Sequence, residues 1–149
     1  MALNDDVSIL SRLPLLKGID QDALKLLAFG ADHMTFPKGR VIVEQDGYLD
    51  FALVLTQGEF AIYEKSEDRL IHFNEAGTLI GEQALLVRRY RSASHIEVTQ
   101  RSEFIRLRKE LFFRVMEEHQ DLAIKFHHYF SEKMTDFTQD LKSQTWLRS

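Results

Sequence analysis

The chain contains no cysteine. That excludes a disulfide framework, a thiolate metal site and a thiol nucleophile together. No apolar run approaches the roughly 18 residues of a membrane helix. The opening Met1-Ala2-Leu3-Asn4-Asp5-Asp6 is acidic where a secretory signal is basic. No membrane association and a cytoplasmic location are therefore expected. Positive charge is not in excess either: 19 Lys and Arg face 23 Asp and Glu, a formal net charge of -4, unlike a strongly basic nucleic-acid binder. The six histidines (His33, His72, His95, His119, His127 and His128) show no zinc-like spacing, so no metal is expected. Ser8, Ser11, Ser92 and Ser94 lie in no nucleophile-elbow context, and no paired carboxylates end the β-like runs. Nothing points to an enzyme.

What is present suits one ordinary globular domain: 149 residues, 44% hydrophobic and 28% charged. A chain of that length buries about two-thirds of its unfolded surface, so its core suffices without metal or disulfide. The apolar pattern changes character twice. Leu10, Leu13, Leu16, Leu24 and Leu27 fall at helical spacings broken by Pro14 and Gly18, with Asp20 as N-cap and Gly30 as stop. Two short helices are expected over about 1–33.

Over about 34–108 the chain reads as short strands: Val41–Val43, Phe51–Leu55, Phe60–Tyr63, Ile71–Phe73, Ile96–Val98 and Phe104–Leu107. Turn signals separate them, among them Gln45-Asp46-Gly47 and Gln57-Gly58. Closely spaced short strands suggest a small barrel or jelly roll. From 109 to 149 helix returns, first around Leu111, Phe112 and Val115, then from near Asp121 to about Lys142. In the second stretch Ala123, His127, Phe130, Met134, Phe137 and Leu141 recur as an a/d seam. The predicted fold class is mainly β with flanking helices (α+β), a β-jelly-roll barrel between N-terminal helices and a C-terminal helix pair.

One helical turn, Gly81 to Val87, interrupts the β region, and such exceptions often mark a site. A glycine opening a turn lets backbone approach a ligand, and the free N–H groups attract anions. The Glu82 carboxylate accepts hydrogen bonds from hydroxyls. Arg91 offers a planar fork suited to phosphate oxygens, and Ser92 adds a hydroxyl. These suit a ligand carrying both a sugar hydroxyl and an anion; a solvated arginine in a surface loop is the plain alternative. Arg88 and Arg89 either steer an anionic ligand or form an exposed loop tip.

The segment resembles the phosphate-binding cassette of the cyclic nucleotide-binding domain family. That cassette reads about Gly-Glu-x-Ala-Leu, a few residues, then Pro-Arg-(Ala/Ser/Thr)-Ala. Here Gly81-Glu82-Gln83-Ala84-Leu85 and Arg91-Ser92-Ala93 stand in those places. Leu13–Ile19 resembles the family's opening helix and turn, and Phe36–Ile42 its first strand. Tyr90 replaces the usual proline, Gln83 an apolar residue, and Asp46-Gly47 reverses the family's Gly-Asp turn.

The resemblance implies a cyclic nucleotide ligand, with cAMP favoured over cGMP. It implies the ribose 2′-hydroxyl on Glu82 and the cyclic phosphate on Arg91, with contacts from Gly81, Gln83, Ala84, Ser92 and Ala93. His127, His128 or Tyr129 on the final helix would either cap the base or pack helix against barrel. The heptad seam implies a homodimer, or simply packing on the barrel. The family's catabolite activators carry a DNA-binding helix-turn-helix after the long helix; none stands within this sequence, so no nucleic-acid partner is expected for it. The expected role is a sensor that relays binding through its C-terminal helices to an output domain or partner. The alternative is a nucleotide-independent interaction or dimerisation module that keeps the fold.

Overall fold

The computed structural model describes residues 2–132. Helix α1 spans Ala2–Ser11 and α2 Gln21–Gly30. Strands follow at β1 (Asp32–Phe36), β2 (Val41–Val43), β3 (Phe51–Glu64), β4 (Arg69–Phe73), β5 (Leu79–Ile80) and β6 (His95–Arg108). Helix α3 (Lys109–Glu118) and a final helix α4 (120–132) complete the described chain. The strands form one antiparallel sheet in the order β1-β6-β3-β4, with β2 on β6 and β5 on β3. This is the jelly-roll architecture with flanking helices that the sequence predicts.

The two long central strands sort the core by their period of two. On β3, Ala52 and Val54 face the helices while Leu53 and Leu55 face the strand interior; on β6, Ile105 and Leu107 take the helical side and Phe104 the other. Two cores result. One joins the sheet to α1–α4 through Leu10, Leu24, Leu27, Phe112, Leu122 and Phe126; the other fills the jelly roll with Phe36, Phe60, Val98 and Phe104. Phe60 and Phe104 are fully buried, each worth about 1.5–3 kcal/mol relative to exposure.

Four local expectations are corrected. Phe51–Leu55 and Phe60–Tyr63 are one strand, as are Ile96–Val98 and Phe104–Leu107. Gln57-Gly58 is a bulge, not a turn: the β3–β6 register shifts between Leu55 and Phe60, and Gly58 has φ 114°. Asp20 precedes α2 without capping it through its side chain. Instead its backbone N–H donates to Asp121 Oδ2 at 3.2 Å, tying the start of α2 to α4.

The buried stripe of α4 also differs from the predicted seam. Leu122, Phe126 and Phe130 are buried at spacings of four, whereas His127 is exposed and Ala123 is only half-buried. Phe126 wins because its ring meets Phe112 at 5.1 Å and Phe130 at 4.6 Å. Met134, Phe137 and Leu141 lie outside the described residues.

Candidate functional site

Gly81 opens a 3-10 turn over Glu82–Leu85 in the left-handed region, φ 77°. A β-carbon there would lie 2.6 Å from Leu49 Cδ2 and 3.0 Å from the Phe51 carbonyl, so both conformation and space require glycine. The turn then inserts consecutive residues into different cores. Ala84 is buried in the jelly-roll core and Leu85 in the helical core. Gln83 is exposed. The Lys109 ammonium at the start of α3 donates to the Val87 carbonyl at 3.3 Å, fastening the far end of the turn to the helices. Any shift of this turn is therefore felt on both sides of the sheet.

Glu82 is half-buried, and its Oε2 accepts a hydrogen bond from the Tyr129 hydroxyl on α4. Burial of the Tyr129 ring, then that bond, then the carboxylate's charge push the Tyr129 pKa well above the usual phenol range. Tyr90, the residue replacing the proline, is also half-buried and packs against the jelly-roll core. Its pKa is raised by burial, pulled back by a bond with the Ala93 backbone, and raised again by Glu82.

Arg91 is exposed and has no carboxylate partner among the described residues. Its Nη2 donates to the Tyr48 hydroxyl at 2.6 Å, and its guanidinium lies 4.7 Å from the centre of the Tyr48 ring. The backbones are paired as well. Tyr48 and Arg91 form an antiparallel bridge, Leu49 N–H donates to Tyr90 O at 3.1 Å, and Ser92 N–H donates to Gly47 O at 2.9 Å. The reversed Asp46-Gly47 turn makes this pairing possible with Asp46 in the left-handed region at φ 66°. Asp46 N–H donates back to Ser92 O at 2.7 Å. A ladder of three hydrogen bonds thus fixes the backbone on both sides of the arginine, next to Tyr90, where the family uses a proline.

Ser92 is buried, and its hydroxyl is occupied: it donates to the Ser94 carbonyl at 2.7 Å and accepts from Ser94 N–H at 3.2 Å. Ala93 is exposed. Arg88 and Arg89 are exposed, Arg89 in the left-handed region at φ 57°. Tyr48, Leu49, Asp50 and Arg89 line an open concavity of about 490 Å³. Of the three candidate base caps, Tyr129 bonds the cassette, His127 lines a groove of about 340 Å³ with Leu86, and His128 is exposed.

Glu82 and Arg91 therefore do not neutralise each other. Each is held by a tyrosine that is remote in sequence, and three of the chain's four tyrosines (Tyr48, Tyr90, Tyr129) gather at the cassette. Of these, Tyr48 carried no signal readable from sequence.

A carboxylate on a glycine-opened turn and, nine residues on, a guanidinium with no carboxylate partner among the described residues agree with the comparison to known proteins. The sequence model of the cyclic nucleotide-binding domain matches residues 33–119. The chain belongs to the cyclic nucleotide-binding domain family. The matched stretch takes in the whole cassette and ends at the junction of α3 and α4.

Among solved structures, the domain is similar to a cyclic nucleotide-binding-like protein from Brucella abortus bv. 1 str. 9-941. Identity is 28%, the match covers 76% of this chain and 98% of that one, and the TM-score is 0.67. The N-terminal domain of a transcriptional regulator from Streptomyces coelicolor A3(2) shares the fold at 15% identity and TM-score 0.75, covering 89% of this chain and 94% of that one. So does the sensor domain of the transcriptional regulator DNR from Pseudomonas aeruginosa, at 14% identity and TM-score 0.72, covering 92% and 93%. No curated protein matches. Among the described residues no group of His, Asp and Glu could hold a metal ion, and no helix is long and apolar enough to cross a membrane.

Proposed function

We propose that this domain senses a cyclic nucleotide, with the ribose 2′-hydroxyl on Glu82 and the cyclic phosphate on Arg91. The observation that carries the proposal is the state of the two anchors. A carboxylate and a guanidinium close in sequence have formed no ion pair, and each leaves capacity for a ligand. Tyr129 occupies Oε2 of Glu82, and a carboxylate, with two oxygens, can serve a ribose hydroxyl and Tyr129 together. Arg91 meets a phenol oxygen and a ring face, neither of which cancels its charge. Backbone and apolar contacts would come from Gly81, Gln83, Ala84 and Ala93.

Cyclic AMP is the favoured ligand. Reaching a guanine amino group through Ser92 would need its hydroxyl as acceptor, and that hydroxyl is buried and bonded at both ends to Ser94. Tyr129, with its phenol on Glu82, is the favoured cap from α4.

The relay runs through the same contacts. Nucleotide ordering the cassette displaces Leu85 within the helical core and pulls α4 through the Glu82–Tyr129 bond, a population shift between helix positions. An output domain or partner reads α4, and a second copy of the chain would complete a homodimer. The domain has a binding role in this account, not a catalytic one.

Thermal melting with cAMP, cGMP and 5′-AMP tests the proposal. Ligand at about 100 times its dissociation constant adds about 2.7 kcal/mol, several degrees for a domain of this size. A rise with cAMP, a smaller one with cGMP and none with 5′-AMP is the expected result. Melting unchanged by both cyclic nucleotides would reject the proposal in favour of a nucleotide-independent interaction module.

A further inference from the structure

Tyr48 follows the Asp46-Gly47 turn ahead of β3, far in sequence from the cassette, yet its hydroxyl accepts a hydrogen bond from the arginine that the proposed function places on the phosphate. Three observations define its state. Its oxygen accepts the Arg91 Nη2 proton at 2.6 Å, while its own proton has no acceptor among the described residues. Its ring lies under the guanidinium at 4.7 Å, although 61% of the residue is exposed. Its backbone is bridged to that of Arg91, so phenol and guanidinium are positioned by the same ladder.

A phenol that has accepted from a cation is a better hydrogen-bond donor, because the bond polarises its remaining O–H. Arg91 and Tyr48 together thus present guanidinium N–H groups and one phenolic O–H on a single edge. No carboxylate competes for Arg91 among the described residues, and the adjoining concavity carries Arg89. A tetrahedral phosphodiester has two exocyclic oxygens, which suits a two-donor edge of this kind.

We infer that Tyr48 is a ligand-binding residue of the phosphate subsite, its hydroxyl donating to one exocyclic oxygen of the cyclic phosphate while Arg91 holds the other. This rests on the cyclic-nucleotide reading of the cassette and deepens it. It gives the subsite a second donor and makes it sensitive to which phosphate oxygen is altered. A residue that only braced Arg91 would show no such sensitivity.

The test measures dissociation constants for native chain, Tyr48→Phe and Tyr48→Ala with whichever of cAMP and cGMP binds, and with the two phosphorothioate diastereomers of that nucleotide. Tyr48→Phe keeps the ring under Arg91 and removes only the hydroxyl; it is expected to weaken the natural ligand about 3- to 10-fold. Its effect should be unequal between diastereomers. The one with sulfur facing Tyr48 has already lost a good acceptor there, so the substitution changes its binding less than twofold. Tyr48→Ala, which also frees the arginine, should weaken all three ligands further.

An equal loss for both diastereomers, or a natural-ligand affinity within twofold of native in Tyr48→Phe, overturns the inference and leaves the cyclic-nucleotide reading standing. Failure of the native chain to bind either cyclic nucleotide overturns both. Melting of the variants without ligand identifies any that fail to fold, and Tyr48→Phe, isosteric at an exposed position, supplies the deciding comparison.

Discussion

The Tyr129 hydroxyl donates to Oε2 of Glu82, joining α4 to the cassette across 47 positions of sequence. Behind Tyr129 the ring of Phe130 lies edge-on at 5.3 Å, and Phe130 packs on Phe126, which packs on Phe112 of α3. A polar contact at the candidate site is thereby continuous with the aromatic core of the C-terminal helices.

If that bond couples helix and cassette, Tyr129→Phe lowers unfolding free energy by about 1–2 kcal/mol, as expected for a partly buried bond to a carboxylate. Glu82→Gln costs a similar amount. The double substitution costs less than the sum, because both remove the same interaction. Urea unfolding of the four proteins checks it; additive losses would mean the contact contributes nothing to the fold.

Alkali probes the same bond. The Tyr129 phenol is raised by burial and by Glu82, and Tyr90 by burial foremost. Below about pH 10, the ordinary tyrosine value, both phenols stay protonated in the folded and the unfolded chain, and their contribution to stability is complete. Above it the unfolded chain releases its protons first, so stability falls as pH climbs toward the raised folded values. Tyr129→Phe removes one of these contributions. The gap in melting temperature between native and variant should therefore shrink as pH rises from 9 towards about 11. A constant gap would contradict the assignment.

Gly58 tests the bulge that sets the register of β3 on β6. A β-carbon there would fall 2.6 Å from Ser102 Cα and 2.7 Å from the Arg101 carbonyl, at φ 114°. Backbone must move to admit it. Gly58→Ala is expected to cost about 1–3 kcal/mol from strain at that backbone conformation. Thermal melting reads the loss, and an unchanged midpoint would place the register elsewhere.

Much of this was legible in sequence where the signal is local. Gly81, Glu82 and Arg91 announce themselves because a turn, a carboxylate and a guanidinium are chemically readable within one short segment. The aromatic and β-branched content of the short runs between turn signals, Phe51–Leu55 among them, marks strands for the same reason. Gln57-Gly58 misled because a glycine with positive φ looks alike in a turn and in a bulge; only pairing with β6 decides between them. Which stripe of α4 packs inward is not legible in sequence, because Ala123 and His127 keep the same spacing as Leu122 and Phe126, and the ring of Phe112 selects the second pair for the core. Tyr48 was invisible because its partner lies 43 residues away. Sequence spacing cannot report which remote side chain completes a site.

The most direct test of the central claim is calorimetric titration of cAMP into the native chain and into Arg91→Ala. The account predicts saturable binding by the native chain, weakened by about one to two decades in the variant, as loss of a charge-assisted bond worth about 1.5–3 kcal/mol requires. Equal affinity in the two proteins, or no heat of binding in the native chain, would contradict it.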